Sequence, residues 1–395
     1  MKSILFLVHR IPYPPNKGDK IRSYHLLKYL SKNYKVYLGA FVDDQHDWQY
    51  VNYLKQFTDE QMILGRKSHY KSLFDYATAF VQYLPLSNAM YRSTKMQNWV
   101  NKLIETKQVD SVLVFSSSMA QYIEPSHKIK TIVDFVDVDS LKWEQYSKQY
   151  SGLKRWIYRR ESHTLSKFEK KTAQNSQLSI FVTDSEANHF RNRSTLSKNI
   201  ISLGNGVDTD YFSPVHNLED PFPPSTHCKI VFTGMMDYWP NVDAVTWFVK
   251  NVVYKLRNQG IKFEFYIVGG NPSSTIQKLH NCIDIFVTGR VDDMRPYLKF
   301  ANFAVAPLRI ARGIQNKVLE ALSMDCPIIV SPEALEGIQL PKNPGLLIAQ
   351  DTQCWRKLVI QQIKQFNQGN YRTHDLIKEN YSWQTALSGL DKYLG

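Results

Sequence analysis

The chain has 395 residues, 43% of them hydrophobic and 13% aromatic, with a formal net charge of +13. That length predicts about two domains, each with its own core, and the apolar and aromatic content excludes an intrinsically disordered chain. The positive balance points to an acidic partner, whether a phosphorylated ligand, an anionic membrane or a nucleic acid, without choosing among them.

The first apolar run, residues 4–8 ("ILFLV"), is too short for a signal-peptide core and meets His9 and Arg10, so it predicts a buried strand. Further runs of strand length follow at 35–42, 111–115, 131–136, 178–183 and 200–203, with helical patterns between them. Residues 204–227, rich in Pro, Asp and Asn, read as a linker. A second series of runs occupies 229–234, 263–270, 283–289, 303–308, 327–331 and 345–349. Continuous apolar strands alternating with helices predict parallel sheets covered on both faces. The expected organisation is a domain over 1–203, a linker over 204–227, a domain over 228–370 and a C-terminal helix over 371–395. Two doubly wound α/β domains would meet at a cleft, with ligands outside the carboxyl ends of the strands.

No apolar run approaches the ~18 residues needed to span a bilayer. None of Cys228, Cys282, Cys326 and Cys354 has the spacing of a metal-ligand pair. The expectation is a cytoplasmic protein, soluble or peripheral on a membrane.

Candidate site residues lie where strands end. After the first strand, "PPNKGDKIRSYHLL" places Gly18 in a rigid loop entering a helix, a position that suits an anion or is a plain connection. After the fourth run, Asp134, Asp137 and Asp139 crowd a strand end, where carboxylates can act as a base, orient a hydroxyl or cap a helix. The segment 142–172 interleaves cations with Trp143, Tyr146, Tyr150, Trp156 and Tyr158. It fits an anionic membrane surface, a single-stranded nucleic acid, or a solvated helix with inward aromatics. In the second half Gly234, Gly289 and Arg290 stand at strand ends, close-approach positions for a phosphate. Gly313 opens a helix carrying Lys317 and Glu320. These two either pair with each other at i,i+3 on a wet surface or hold two ends of one ligand.

In order, "NGVDTDYF" (205–212), "FTGMMDYWPNVDAVTWF" (232–248), "GRVDDMRPYLKFANFAVAPL" (289–308), "GIQNKVLEALSMDCPIIVS" (313–331) and "YSW" (381–383) resemble family 4 retaining glycosyltransferases of the GT-B fold. "PPNKGDKIRSYHLL" and "DFVDVDSLKW" look closer to the sugar transferases that accompany PEP-CTERM/exosortase and exopolysaccharide systems. The resemblance implies a nucleotide-diphosphate sugar donor bound mostly by the C-terminal domain, a saccharide or lipid-linked acceptor entering from the N-terminal domain, and transfer with retention. It implies no metal and no cofactor beyond the donor. Glu320 matches the second Glu of the family's E-x7-E motif and would bind ribose hydroxyls; Gly18 matches the glycine loop facing the diphosphate. The first Glu falls at Arg312. The usual strand cations fall at Met235 and near Asn241, which leaves Lys317 as the nearest replacement, with Arg312 or Arg309 as helpers. Asp137 and Asp139 stand where the family often has a His base. The alternatives are a GT-B-like protein that only binds a sugar nucleotide or a partner, a GT-B sugar-nucleotide epimerase, and, by charge alone, a nucleic-acid binder without a recognised motif.

Overall fold

The computed structural model describes residues 1–66, 73–194, 199–311, 314–365 and 371–394. Two compact units emerge. One holds Met1–Gly204 and the C-terminal residues from Leu387 on; the other holds Asn205–Ala386.

In the first unit β1 (Ser3–Val8), β2 (Lys35–Val42), β3 (Glu60–Gly65), β4 (Ser111–Phe115), β5 (Lys130–Val136), β6 (Leu178–Phe181) and β7 (Ile200–Ser202) form one sheet in the order β3-β2-β1-β4-β5-β6-β7. All pairs are parallel. β1 and β4 are buried on both faces, so their sequences are apolar throughout. Helix Thr94–Glu105 starts where the Ser93 hydroxyl accepts the Met96 N–H at 3.4 Å, and it buries Met96, Trp99, Val100 and Leu103. Those positions share one face at helical spacing. They pack with Leu5, Leu7, Val112 and Val114.

The sequence reading expected six strands here, and the described residues form seven. The added strand, β3, is an edge strand whose central residues are only partly buried. Its run is therefore short and polar at its start, and it escapes a search for continuous apolar segments.

The second unit holds β8 (Cys228–Thr233), β9 (Phe263–Val268), β10 (Ile285–Gly289), β11 (Phe303–Ala306), β12 (Ile328–Val330) and β13 (Leu346–Ile348), all parallel, in the order β10-β9-β8-β11-β12-β13. The segment read as a linker packs onto this unit from Asn205 on. Phe222 is buried against Tyr266, with ring centroids 4.5 Å apart. The Phe212 carbonyl accepts the Ser323 hydroxyl at 2.6 Å, and the Arg295 guanidinium lies 3.9 Å from the centre of the Tyr211 ring. Pro and Asp set the local backbone of this stretch; its few aromatics decide where it packs.

Two of the resembling motifs meet in the same unit. The Val207 N–H donates to the Tyr381 carbonyl at 2.8 Å, and Val207 forms a parallel bridge with Ser382. A Cβ on Gly206 would sit 2.6 Å from the Trp383 backbone, so the crossing requires glycine. Thus "NGVD" and "YSW" hold each other, and the chain from Leu387 on belongs to the first unit. There Tyr29 Oη donates to Asp391 Oδ1 at 2.7 Å.

Candidate functional site

In the second unit the ends of β8, β9 and β10 are joined through glycines. The Gly234 N–H donates to the Val268 carbonyl at 3.1 Å, the Met236 N–H to the Gly270 carbonyl at 2.8 Å, and the Gly269 N–H to the Gly289 carbonyl at 3.2 Å. Gly234 and Gly289 have φ of +148° and +70°. Gly269 has φ of +150°, and a Cβ there would lie 1.7 Å from the Gly234 carbonyl oxygen, so no side chain is admitted. The sequence reading named Gly234 and Gly289 and missed Gly269 and Gly270. The doubled glycine ending the run "FEFYIVGG" was the available signal.

Lys317 lies in helix Asn316–Ser323, whose Val318, Leu319, Ala321 and Leu322 are buried. Its ammonium does not pair with Glu320. It donates to Asn241 Oδ1 at 2.6 Å, and it lies 4.2 Å from the centre of the Phe232 ring. Asn241 is held in turn by a 2.9 Å bond from its Nδ2 to the Met235 carbonyl. A Cβ on Gly234 would lie 3.2 Å from the Lys317 nitrogen. The lysine therefore brings its charge from the helix after β11 to the end of the neighbouring β8. Arg290 is exposed on the other flank of the junction, its Cβ 3.8 Å from where a Cβ on Gly270 would stand.

Glu320 lies about one turn beyond Lys317. Among the described residues its carboxylate has no hydrogen bond and no ion pair, and the side chain is partly exposed. Arg309 is engaged by Asp243, with Nε 2.9 Å from Oδ2, so it is not a free helper cation. Arg312 and Gly313 lie outside the described residues.

Burial pushes the Lys317 ammonium down to about 7, against the opposing pull of Glu320. Burial likewise pushes the Glu320 carboxyl up to about 7, against Lys317. Both residues are partly exposed. An anion bound beside Lys317 favours the charged ammonium and so raises its pKa on binding. Above pH 7 the free protein must then take up a proton to bind. Affinity for an anion at this position, with inorganic pyrophosphate as the probe, should fall by up to about tenfold per pH unit above 7. Calorimetry in buffers of different ionisation enthalpy should show that uptake at pH 8; its absence would place the titrating group elsewhere.

In the first unit, Gly18 is the first residue of helix Gly18–Leu30. A Cβ there would meet nothing within 4 Å, so packing does not demand the glycine. Asp137 and Asp139 are both bound by the Lys142 ammonium, at 2.9 and 3.1 Å. Between them the two carboxylates raise the Lys142 pKa against its desolvation. Neither is the helix cap: Val138 takes that position, and Ser140 Oγ donates to Glu169 Oε2 at 2.6 Å. Asp134 is a buried partner of Arg22, with Nε to Oδ2 at 2.8 Å.

The segment 142–172 spans helices Asp139–Gln149 and Gly152–Asn175. Arg160, expected among its surface cations, is buried instead and donates to the carbonyls of Ala79 and Phe80, each at 3.1 Å. Those carbonyls lie at the end of helix Leu73–Val81, where a cation replaces the missing helical donors.

Two doubly wound parallel sheets with a glycine-lined junction at the strand ends define a GT-B fold, and comparison with solved structures agrees. The chain is similar to a glycosyltransferase from Rickettsia africae ESF-5, with 14% identity over 99% of this chain and 97% of that one and a TM-score of 0.61. It is similar to Anabaena Alr3699/HepE in complex with UDP, with 13% identity over 99% of each chain and a TM-score of 0.60. It is also similar to WaaG, a glycosyltransferase involved in lipopolysaccharide biosynthesis, with 12% identity over 98% and 95% and a TM-score of 0.57. Residues 227–365, within the second unit, match the family described as glycosyl transferases group 1. No curated protein matches the chain.

Proposed function

We propose that the protein transfers a hexosyl group, with retention, from a nucleotide-diphosphate sugar to a saccharide or lipid-linked acceptor, as a family 4 enzyme of polysaccharide or glycoconjugate synthesis. The observation that carries this is Lys317 and Arg290 flanking the glycine junction, with the uncommitted Glu320 carboxylate about one turn beyond, inside the group 1 domain. The two cations take the charge that develops on the departing diphosphate, the part a metal plays elsewhere. Glu320 accepts hydrogen bonds from the ribose hydroxyls. Gly18, Arg312 and Gly313 are further proposed donor-binding positions, from the sequence pattern alone. That HepE is in complex with UDP makes UDP the first nucleotide to test.

Incubation with a panel of nucleotide sugars and saccharide acceptors, followed by product analysis, tests the reading. A glycosylated acceptor plus free nucleoside diphosphate supports it. An epimerised donor, or binding without a product, would replace transfer with the corresponding alternative.

Asp137 and Asp139 are proposed to orient the acceptor hydroxyl, with Lys142 holding both carboxylates in place. Asp137→Asn and Asp139→Asn should each lower turnover at least about tenfold with donor affinity unchanged. Near-full turnover in both would leave them as surface anions of the helix start.

The protein is further proposed to sit on the cytoplasmic face of an anionic membrane. No described helix is long and apolar enough to cross one. The support is a surface on the first unit where Leu153 and Trp156 are 72% and 52% exposed beside the exposed Lys154, Arg155 and Arg159. Phe80 stands beside Trp156, with ring centroids 5.9 Å apart, and Phe74 and Val81 of the same helix are exposed as well. Each such cation contributes about 1 kcal/mol near an anionic leaflet, less as salt rises. Flotation with phosphatidylserine vesicles should recover the protein and lose it when Lys154, Arg155 and Arg159 become Gln. Equal recovery on neutral vesicles would remove the electrostatic basis.

A further inference from the structure

The flank of the first unit carries two adjoining hollows of about 350 and 340 Å³, which share Leu84, Pro85, Gln121 and Phe168. Each is within the size range of small-ligand sites, about 300–1,000 Å³. One opens between helix Thr94–Glu105 and the segment around Asn88; the other runs along helix Gly152–Asn175.

Their polar groups have a consistent bias. Gln121 Nε2 donates to the backbone carbonyls of Asn88 and Ser118, at 3.0 and 2.8 Å. Gln97 Nε2 donates to the Tyr122 carbonyl at 3.0 Å and to Asn101 Oδ1 at 2.8 Å. Backbone carbonyls only accept, so each amide nitrogen is assigned by its partner and each side-chain oxygen is left as an acceptor. Asn88 is 6% exposed, and its Oδ1 has no hydrogen-bond partner. Asn88 Oδ1 is thus a buried acceptor left unsatisfied, which is costly, and the partly exposed Gln97 and Gln121 each keep an acceptor oxygen.

The charges are biased too. Arg92 lines the first hollow, and Lys167 and Lys171 line the second. All three are exposed, and among the described residues none is in an ion pair. Lys167 lies 5.7 Å from the centre of the Tyr83 ring. The one acid on the lining, Glu124, is occupied in capping its own short turn with His127.

A ligand matching this lining offers many hydroxyl donors and carries negative charge at intervals. We infer that the joined hollows bind an anionic saccharide, its hydroxyls donating to Asn88, Gln97 and Gln121 and its acid groups meeting Arg92 at one end and Lys167 and Lys171 at the other. On the glycosyl-transfer reading this is the part of the acceptor remote from the reacting hydroxyl. The role rests on that reading; the binding does not.

Calorimetric titration of the full chain with tetragalacturonate, maltotetraose and inorganic phosphate tests the inference. Tetragalacturonate should bind and should weaken with salt. Arg92→Gln and Lys171→Gln should each reduce its affinity about tenfold, and Gln121→Met should reduce it severalfold, with UDP binding unchanged in all three. Failure of tetragalacturonate to bind at millimolar concentration, binding equal to that of maltotetraose, or binding unaffected by the variants would overturn it. Inorganic phosphate binding as tightly as the tetrasaccharide would reduce the site to a simple anion site and overturn the saccharide assignment. UDP titration of the same protein is read separately, so the failure of this inference is distinguishable from failure of the donor site.

Discussion

Replacing Lys317 by alanine is expected to weaken UDP binding about tenfold to a hundredfold and to leave uridine binding nearly unchanged. A charge-assisted hydrogen bond contributes roughly 1.5–3 kcal/mol, and the strand ends of the second unit have few cations placed to make one. By the sequence resemblance, Met235 stands at one position, and Asn241 near another, where the resembling family usually carries a cation. Arg309 is bound by Asp243. The Lys317 ammonium, by contrast, has one neutral partner, Asn241 Oδ1, and lies beside the Gly234 end of β8. On the proposed reading, an alanine there removes charge from the diphosphate and nothing from the nucleoside.

Glu320→Ala should weaken UDP and uridine alike, because a carboxylate that holds ribose hydroxyls contributes to both. The two-ended profile separates this arrangement from a surface ion pair. In an i,i+3 pair worth about 0.2–0.5 kcal/mol, neither variant would change nucleotide binding. Calorimetric titration of UDP and uridine into wild type and both variants is the measurement. Equal losses for the two ligands in Lys317→Ala would sink the assignment of its charge to the diphosphate.

Asp134→Ala should cost the first unit about 3–5 kcal/mol, because it removes one partner of a buried ion pair and strands the other. The side chains of Arg22 and Asp134 are each 1% exposed and meet at 2.8 Å. Arg22 also donates through Nη1 to the carbonyl of Gly204 at 3.2 Å, the residue at which the first unit ends. One guanidinium thereby ties helix Gly18–Leu30 to β5 and to the chain's exit. The double variant Arg22→Met, Asp134→Leu should recover most of the loss, since a buried pair replaced by apolar groups of similar volume is close to neutral. Urea unfolding followed by circular dichroism, fitted with one transition per unit where two appear, reads the difference. A loss below about 1 kcal/mol in Asp134→Ala would show that water reaches the pair.

How much was legible follows from where each feature is encoded. Central strands are buried on both faces, and a row of apolar residues records that directly, as in "ILFLV" and "SVLVF". β3 lies at an edge and carries a weaker mark. The segment 204–227 looks like a linker because Pro and Asp describe backbone conformation, whereas the packing of Phe222 on Tyr266 depends on β9, about 40 residues away. Among the cations of 142–172, position on the helix decided which faced solvent: Arg155 and Arg159 stay exposed, and Arg160 turns in to the carbonyls of a helix that the sequence reading had not marked. Lys317 and Glu320 stood out as an i,i+3 pair, and that same spacing argued for a salt bridge the structure does not contain.

The sequence by itself determined the paired α/β architecture and marked two of the strand-end glycines and the two charged residues of the proposed donor site. Burial and chain reversal act on residues near in sequence, so they leave local patterns. The tertiary structure alone decided what those residues touch: the Lys317 ammonium reaches Asn241 and the end of β8 because β11 and β8 are sheet neighbours while 76 positions separate the two side chains. Partner choice over such a separation is set by strand order and helix packing. No periodicity in the sequence records it.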